Sequence, residues 1–328
     1  MGSVSCPYCG APVSYGSGDV VTTCPYCGTT FAIGGRPLEK HLMGRVNYSP
    51  SEAYAFFKEW ALRKPETPND LPVKARIASH ELTYYPFWVY RVSTRLKYEG
   101  RAERSKASGI EEERVVVAVP AHSSMYGTPL EFYNFSLRGK VFFDASYASR
   151  VGAKLLQANI AEDKAWSEAW RRVINAIEGK LRSRGLRYLK LDVESYSVDG
   201  PYYVHVPIYT VTYKYGSKTY RFMSDASDNR VIYSEIPIGV GFRALALSAA
   251  VVSAIAAFAL LSLGLSLKMP VFGGMSFLLL LAVAAYSAYR GLRERLVVKT
   301  VARETREEAP ELSFLYSIAV RTGGAEIE

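Results

Sequence analysis

The sequence predicts an α+β fold in three parts. A small cysteine-based unit comes first. A middle α+β region follows, with two similar antiparallel-sheet units and a long helix. A two-helix transmembrane hairpin closes the chain. Three observations predict this. Two uncharged apolar runs, residues 244–267 and 269–289, lie near the C-terminus. All four cysteines cluster near the other end. Between them, runs rich in aromatic and β-branched residues alternate with a segment of helical period.

Each apolar run, at ~1.5 Å rise per residue, is long enough as a helix to cross a hydrocarbon layer of ~30 Å. Only Lys268 separates them, and Pro270, Gly273 and Gly274 follow. A hairpin with a very short turn is expected. Arg243 precedes the first span, and Arg290, Arg293, Arg295 and Lys299 follow the second. The positive-inside bias then puts both flanks, and both termini, in the cytoplasm. Residues 1–5 show neither a basic n-region nor an apolar h-region, so no secretory signal is read. The expected location is the cell membrane, with two spans. Neither span holds an ionisable residue, which argues against a transport path. Ala249, Ser253 and Ala257, with Ala284 and Ala288, offer small surfaces for close helix contact, within the hairpin or between copies.

The cysteines form two matched knuckles. Cys6-Pro7-Tyr8-Cys9-Gly10 is repeated as Cys24-Pro25-Tyr26-Cys27-Gly28, with fourteen residues between Cys9 and Cys24. Four thiolates at this spacing suit tetrahedral Zn²⁺, which takes soft sulfur ligands. Cys6, Cys9, Cys24 and Cys27 are therefore the expected ligands. Four protein ligands leave no open position, so the zinc is expected to be structural. The pattern resembles a zinc ribbon, a unit in which metal replaces a hydrophobic core. A redox CxxC pair would need one exposed, low-pKa copy, and two matched copies argue against it.

In the middle region, Ser49-Pro50-Ser51-Glu52 reads as a helix start. Ser49 is the N-cap, Pro50 the first helical residue and Glu52 the returning carboxylate of a capping box. Tyr54, Phe57, Trp60 and Ala61 give the inner face, and Pro65 and Pro68 end the helix. Residues 84–92 (YYPFWVYRV) and 205–213 (HVPIYTVTY) both place a proline inside an apolar, strand-forming run. We read them as two similar units, with the prolines at strand starts or edges. A long helix is expected over residues 152–184, with Leu156, Ile160, Trp166, Trp170, Val173, Ile174, Ile177 and Leu181 at helical spacing. The two tryptophans are read as core rather than as a groove. A strand, a Gly216-Ser217 turn and a strand follow, then a turn over residues 225–230 and a last strand at 231–233. After Arg290 the chain reads as helical to about residue 308, then apolar over 312–320.

Phosphate-binding loops and dinucleotide fingerprints are absent, as are HExxH and GxSxG. His122-Ser123-Ser124 is adjacency rather than triad geometry. Asp225 and Asp228 could hold a cation, but both are ordinary turn residues. No catalytic residue and no organic cofactor site is expected. The net charge is +9, spread along the chain. Attraction to anionic lipid accounts for it more simply than nucleic-acid binding. A single glutamine and cysteines confined to the metal pattern give a thermophile-like composition.

The order of ribbon, aromatic-proline strand, long helix, hairpins and two terminal spans resembles a family of prokaryotic membrane-anchored TFIIB-type zinc-ribbon proteins. Residues 213–233 are similar to PepSY modules, although Asp228-Asn229-Arg230 replaces the usual Thr-Gly-Lys. The resemblance implies a role beside phage-shock-type and stomatin/flotillin-like membrane-stress proteins. The expected organisation is a zinc ribbon at 1–36, a cytoplasmic α+β region at 37–237, the hairpin at 238–292 and a cytoplasmic tail at 293–328. The expected function is a non-enzymatic adaptor that recruits a cytoplasmic protein to the bilayer. A membrane-tethered nucleic-acid binder, touching phosphates with Arg36, Lys40, His41 and Arg45, is the alternative. A homo-oligomer stays open.

Overall fold

The computed structural model describes residues 2–35, 37–102 and 105–299. The apolar stretch at 312–320 and Arg36 lie outside the described residues. Two short hairpins open the chain. β1 (Gly2–Ser5) pairs with β2 (Pro12–Tyr15), and β3 (Val21–Thr23) with β4 (Thr30–Ala32). In order follow β5 (His41–Met43), α1 (Pro50–Leu62), α2 (Leu71–Lys74), β6 (Arg76–Ala102) and β7 (Ser105–Pro120). Next come β8 (Val141–Phe142), α3 (Ala145–Arg150), β9 (Lys154–Leu155), α4 (Glu162–Ser183) and β10 (Leu186–Tyr215). The chain continues with β11 (Lys218–Asp225), β12 (Val231–Pro237), α5 (Val240–Ser266), α6 (Pro270–Leu292) and β13 (Arg295–Lys299). Strands β5 to β13 make one mixed sheet.

The spine of that sheet is the long antiparallel pair β6–β10. The two proline-bearing runs lie opposite each other in it: Pro86 faces His205, and Pro207 faces Tyr84. The prolines are thus in the middle of central strands, not at the starts or edges expected. Each sits where the outer neighbour changes. Along β6, β7 ends opposite Phe87 and β9 begins opposite Tyr84. Along β10, β5 ends opposite His205 and β11 begins opposite Ile208. No ladder partner stands at either gap, so a missing N–H costs little there. The proline carbonyls still accept, Pro86 O from Ala121 N–H at 3.0 Å and Pro207 O from Ala226 N–H at 2.8 Å.

Helix α1 starts with the expected capping box of Ser49 and Glu52, whose carboxyl is held below its ordinary range by the Ser49 N–H and hydroxyl. It buries Ala53, Tyr54, Phe57, Trp60 and Ala61 against Tyr209, Val211, Tyr213, Tyr220 and Phe222. Phe57 stacks on Phe222 with ring centres 4.2 Å apart. Helix α4 packs on the other half, burying Ala165, Ala169, Val173, Ile177 and Leu181 against β6 and β7. It begins at Glu162 rather than at residue 152, because the preceding chain is already engaged elsewhere. Gly152 takes φ +66°. Lys154 and Leu155 pair with Thr83 and Tyr84. The N–H groups of Asn159 and Ile160 both reach Ala121 O. Glu162 and Asp163 then fill the first turn, where negative charge suits the helix dipole. Trp166 and Trp170 flank the core, half-buried beside Tyr196.

Helices α5 and α6, 27 and 23 residues long, are apolar enough to cross a membrane and are mostly exposed. They touch along Ala250, Ala257 and Gly264 on one side and Gly273, Ala284 and Gly291 on the other. Ala257 and Ala284 were expected there, whereas Ala249 is exposed and Ser253 only half-buried. The sevenfold spacing 250–257–264 keeps one face in contact, which a spacing of four cannot do over several turns. The chain after α6 is not the helix expected. Arg295–Lys299 is a strand paired with β12, with Leu296 and Val298 packed on the core.

Candidate metal centre

Each knuckle sits in the turn of a hairpin, Cys6 to Cys9 between β1 and β2 and Cys24 to Cys27 between β3 and β4. The two are built alike. Gly10 N–H donates to Cys6 O at 2.9 Å, and Gly28 N–H to Cys24 O at 3.0 Å. Cys6 N–H donates to Ala11 O and Cys24 N–H to Thr29 O, both at 2.8 Å. The repeat closes through Gly10 at φ +74° and Gly28 at φ +76°, a left-handed backbone that glycine adopts without strain. Cys6 and Cys24 are buried; Cys9 and Cys27 are exposed.

The four sulfurs lie within 4.8 Å of one another. Cys6 Sγ is 3.6 Å from Cys27 Sγ, and Cys9 Sγ is 3.7 Å from Cys24 Sγ. A disulfide needs about 2.05 Å, so neither pair is one. Four ligands at ~2.3 Å around a tetrahedral ion would stand about 3.8 Å apart. The four cysteines can therefore hold a metal ion, each knuckle giving one buried and one exposed sulfur. Without a cation the cluster titrates unevenly. The Thr29 hydroxyl and N–H draw the Cys27 thiol down to about 6. Cys9 is pushed up to about 12: the Ala11 N–H acts to lower it, but the Cys27, Cys24 and Cys6 sulfurs outweigh that. One thiolate forms readily here, and a divalent ion is what would let all four form.

A buried polar chain ties this centre to the sheet, and the sequence reading did not anticipate it. His205 Nε2 lies 3.1 Å from Leu156 O, which can only accept, so Nε2 carries the proton. His205 Nδ1 must then accept from His41 Nε2 at 2.9 Å. His41 Nδ1 in turn accepts from the Thr30 hydroxyl at 2.6 Å, and Thr30 Oγ1 from Thr23 at 2.9 Å. Burial, then the neighbouring His205, holds His41 well below its ordinary range, and burial brings His205 down to about 4. Both rings are neutral. Val21, from β3, also enters the main core beside Trp88 and Tyr203. A histidine within the apolar run at 205–213 was the one available signal; the partner, 164 residues away, had none.

No family model, no curated protein and no solved structure matches this chain. The centre is therefore read from its own geometry.

The remaining candidates are placed as follows. His41 is buried, Lys40 is held by Asp199 at 2.5 Å, and Arg45 stacks over Tyr147. His122 Nδ1 and Ser124 Oγ do meet, at 2.8 Å. The same Nδ1 accepts the Ser124 N–H, so the contact caps a single helical turn. Asp225 is fully buried and accepts from the Tyr133 hydroxyl at 2.7 Å and from Ser227 N–H and Oγ. The buried Lys140 ammonium donates to Ser227 Oγ at 2.8 Å and lies 3.8 Å from Asp228. A side-chain cation thus already stands where a bound one would be needed.

Proposed function

We propose that this chain is a non-enzymatic, membrane-anchored adaptor in which a structural Zn²⁺ ribbon and a rigid α+β body recruit a cytoplasmic protein to the bilayer. Both flanks of the hairpin face the cytoplasm in this reading, on the charge bias already described. The observation that carries it is the continuity of the scaffold. The hairpin α5–α6 springs directly from the paired strands β12 and β13, and β3 and His41 lock the cysteine unit to the same sheet. Tyr8 and Tyr26 project from the two knuckles at 79% and 72% exposure, as contact residues on a fixed platform would. Sheet units α1 with β10–β11, and α4 with β6–β7, form the body in this proposal. A role in membrane stress remains part of it, on the resemblance alone.

The nucleic-acid alternative has less to stand on. Of its four phosphate contacts, His41 is buried and Lys40 is spent on Asp199.

The test is a pull-down of the full chain from its own membranes in mild detergent, with and without nuclease, beside Cys6→Ser and Cys27→Ser. A stoichiometric, nuclease-resistant protein that is lost in both variants, while the variants still insert, is the expected result. Recovery of RNA or DNA, with partners lost on nuclease treatment, would reverse the reading.

A further inference from the structure

We propose that the base of the membrane hairpin and the rim of the folded body around it form a binding surface for the phosphates of anionic phospholipid headgroups. This rests on the membrane reading and is independent of the adaptor reading.

Four segments meet at that base: the chain after α1 with α2 (62–76), the β10–β11 turn (214–221), the exit of β12 into α5 (235–243) and the exit of α6 into β13 (290–295). Their contacts are direct. Gly239 N–H donates to Glu66 O at 2.8 Å, and Ile238 N–H to Glu294 O at 3.1 Å. The Tyr215 hydroxyl donates to Asp70 at 2.6 Å. A Cβ at Gly239 would lie 3.3 Å from Pro68 Cα, so loop and helix start are in van der Waals contact.

These segments carry eleven Lys and Arg against four Asp and Glu, a surplus of seven in a chain whose whole excess is +9. The charge that looked dispersed along the sequence is gathered at one rim by the fold. All four carboxylates are already engaged: Glu66 by Arg290, Asp70 by Lys74, Glu235 by Arg295 and Glu294 by Lys218. Seven cations are left without a carboxylate among the described residues. Of these, Arg63, Lys214 and Arg293 are exposed and Lys64 is half-buried. Several cations of the rim lie over aromatic rings, Lys64 over Trp60, Arg293 over Tyr289 and Arg290 over Phe242, each at 5.0 Å. Phe242 and Tyr289 stand at the ends of the apolar helices, where aromatic rings beside Lys and Arg mark the headgroup level, whereas Trp60 is buried in the body. The distant part of the β6–β7–β10 ribbon is also highly charged, but it carries nearly as many carboxylates as cations. Arg95 reaches Glu112 and Glu194, Arg91 reaches Asp199, and Lys97 reaches Glu99. The surplus of positive charge thus collects where the helices leave the body. An array of fixed cations against an anionic surface gains roughly fivefold in affinity per side chain and weakens with salt.

The experiment uses the full chain in a mild nonionic detergent. It is incubated with mixed micelles of phosphatidylcholine and phosphatidylglycerol in equal amounts and repurified, and the retained lipid is quantified by mass spectrometry. The expected result is enrichment of phosphatidylglycerol that falls at least about tenfold in the combined variant Arg63→Gln, Lys64→Gln, Lys214→Gln, Arg293→Gln. A control variant on the ribbon that removes the same number of positive charges, Lys97→Gln, Lys106→Gln, Arg114→Gln, Lys190→Gln, should keep the enrichment, and high salt should abolish it. Equal retention of both lipids by the unaltered chain overturns the proposal. So does enrichment that survives in the rim variant, or an equal loss in the control variant. Metal content and melting temperature check that each variant is folded. Alkaline extraction of membranes checks insertion separately, so a chain that never enters the bilayer is told apart from one that enters without lipid preference.

Discussion

His41 and His205 show how single side chains couple the cysteine unit to the body. Both are neutral in the folded chain because burial penalises the charged ring. An unfolded histidine takes up its proton near pH 6.5, whereas His205 in the fold waits until about 4. Between these values the unfolded state binds more protons, so stability falls as pH falls. The stabilisation is complete above about pH 6.5 and declines toward about pH 4, by about 3 kcal/mol from His205 alone. We expect the melting temperature of the full chain in detergent to drop steeply between pH 7 and pH 5. His205→Gln should be less stable at pH 7 but should flatten that slope. An unchanged slope would place the sensitivity in other groups. The cysteines make a second residue-scale prediction. Cys24→Ser removes one of four sulfurs and should take bound metal from one per chain to near zero by elemental analysis. The hairpins β1–β2 and β3–β4 should then lose protection from proteolysis while β6 and β10 keep theirs. Apart from the Val21 contact and the Thr30–His41 hydrogen bond on β3–β4, those hairpins have only the small cluster of Cys6, Val13, Cys24 and Phe31 to hold them otherwise.

At the level of elements, the hairpin α5–α6 depends on residues with almost no side chain. A Cβ on Gly264 would lie 2.6 Å from Gly273 Cα, and neither backbone can yield without parting the helices. Gly264→Leu should cost about 1–3 kcal/mol as an overpacked contact, read as a lower melting temperature in detergent. Gly274→Leu, where a Cβ meets nothing within 4 Å, should cost little. Equal effects from the two would mean that the helices do not touch at 264. The elements also divide by how readable they were. The knuckles, the capped start of α1 and the apolar spans were legible because each is set by neighbours in sequence: a spacing, a cap, a length. The start of α4 was not, because Gly152 to Ile160 has helical spacing but is drawn into sheet contacts with Thr83, Tyr84 and Ala121. Pro86 and Pro207 read as edge markers because strand rules concern two flanking ladders, and nothing local reveals a gap where neighbours hand over. β13 read as helix from its mixed charges, and only pairing with β12 makes it a strand. The His41–His205 contact joins distant segments and had no local trace.

In the whole molecule, the apolar hairpin α5–α6 occupies the place of a β-turn. Pro237 pairs with Arg295, and Ile238 N–H still reaches Glu294 O at 3.1 Å before the chain turns away as α5. Only Gly239 lies between that last sheet contact and the first helical residue, and Arg293 and Glu294 make the return. Such a short connection leaves the body little freedom to swing, so its orientation to the apolar hairpin is set by the fold. It also means that the sheet does not need the helices to hold its register. Replacing residues 239–293 with Asn-Gly should join β12 to β13 by a two-residue turn whose twist suits an antiparallel pair. The shortened chain should be soluble and keep its full metal content. It should also keep the far-ultraviolet signature of the sheet, since the clusters around Trp88, Phe222 and Phe87 draw nothing from α5 or α6. Some stability should be lost, because Glu66 gives up Arg290 and Pro68 its contact with Gly239. That loss should be confined to the loop after α1 and appear there as faster amide exchange. Aggregation, or collapse of protection across β11 and β12, would show instead that the hairpin is part of the folded body rather than a tether set into its edge.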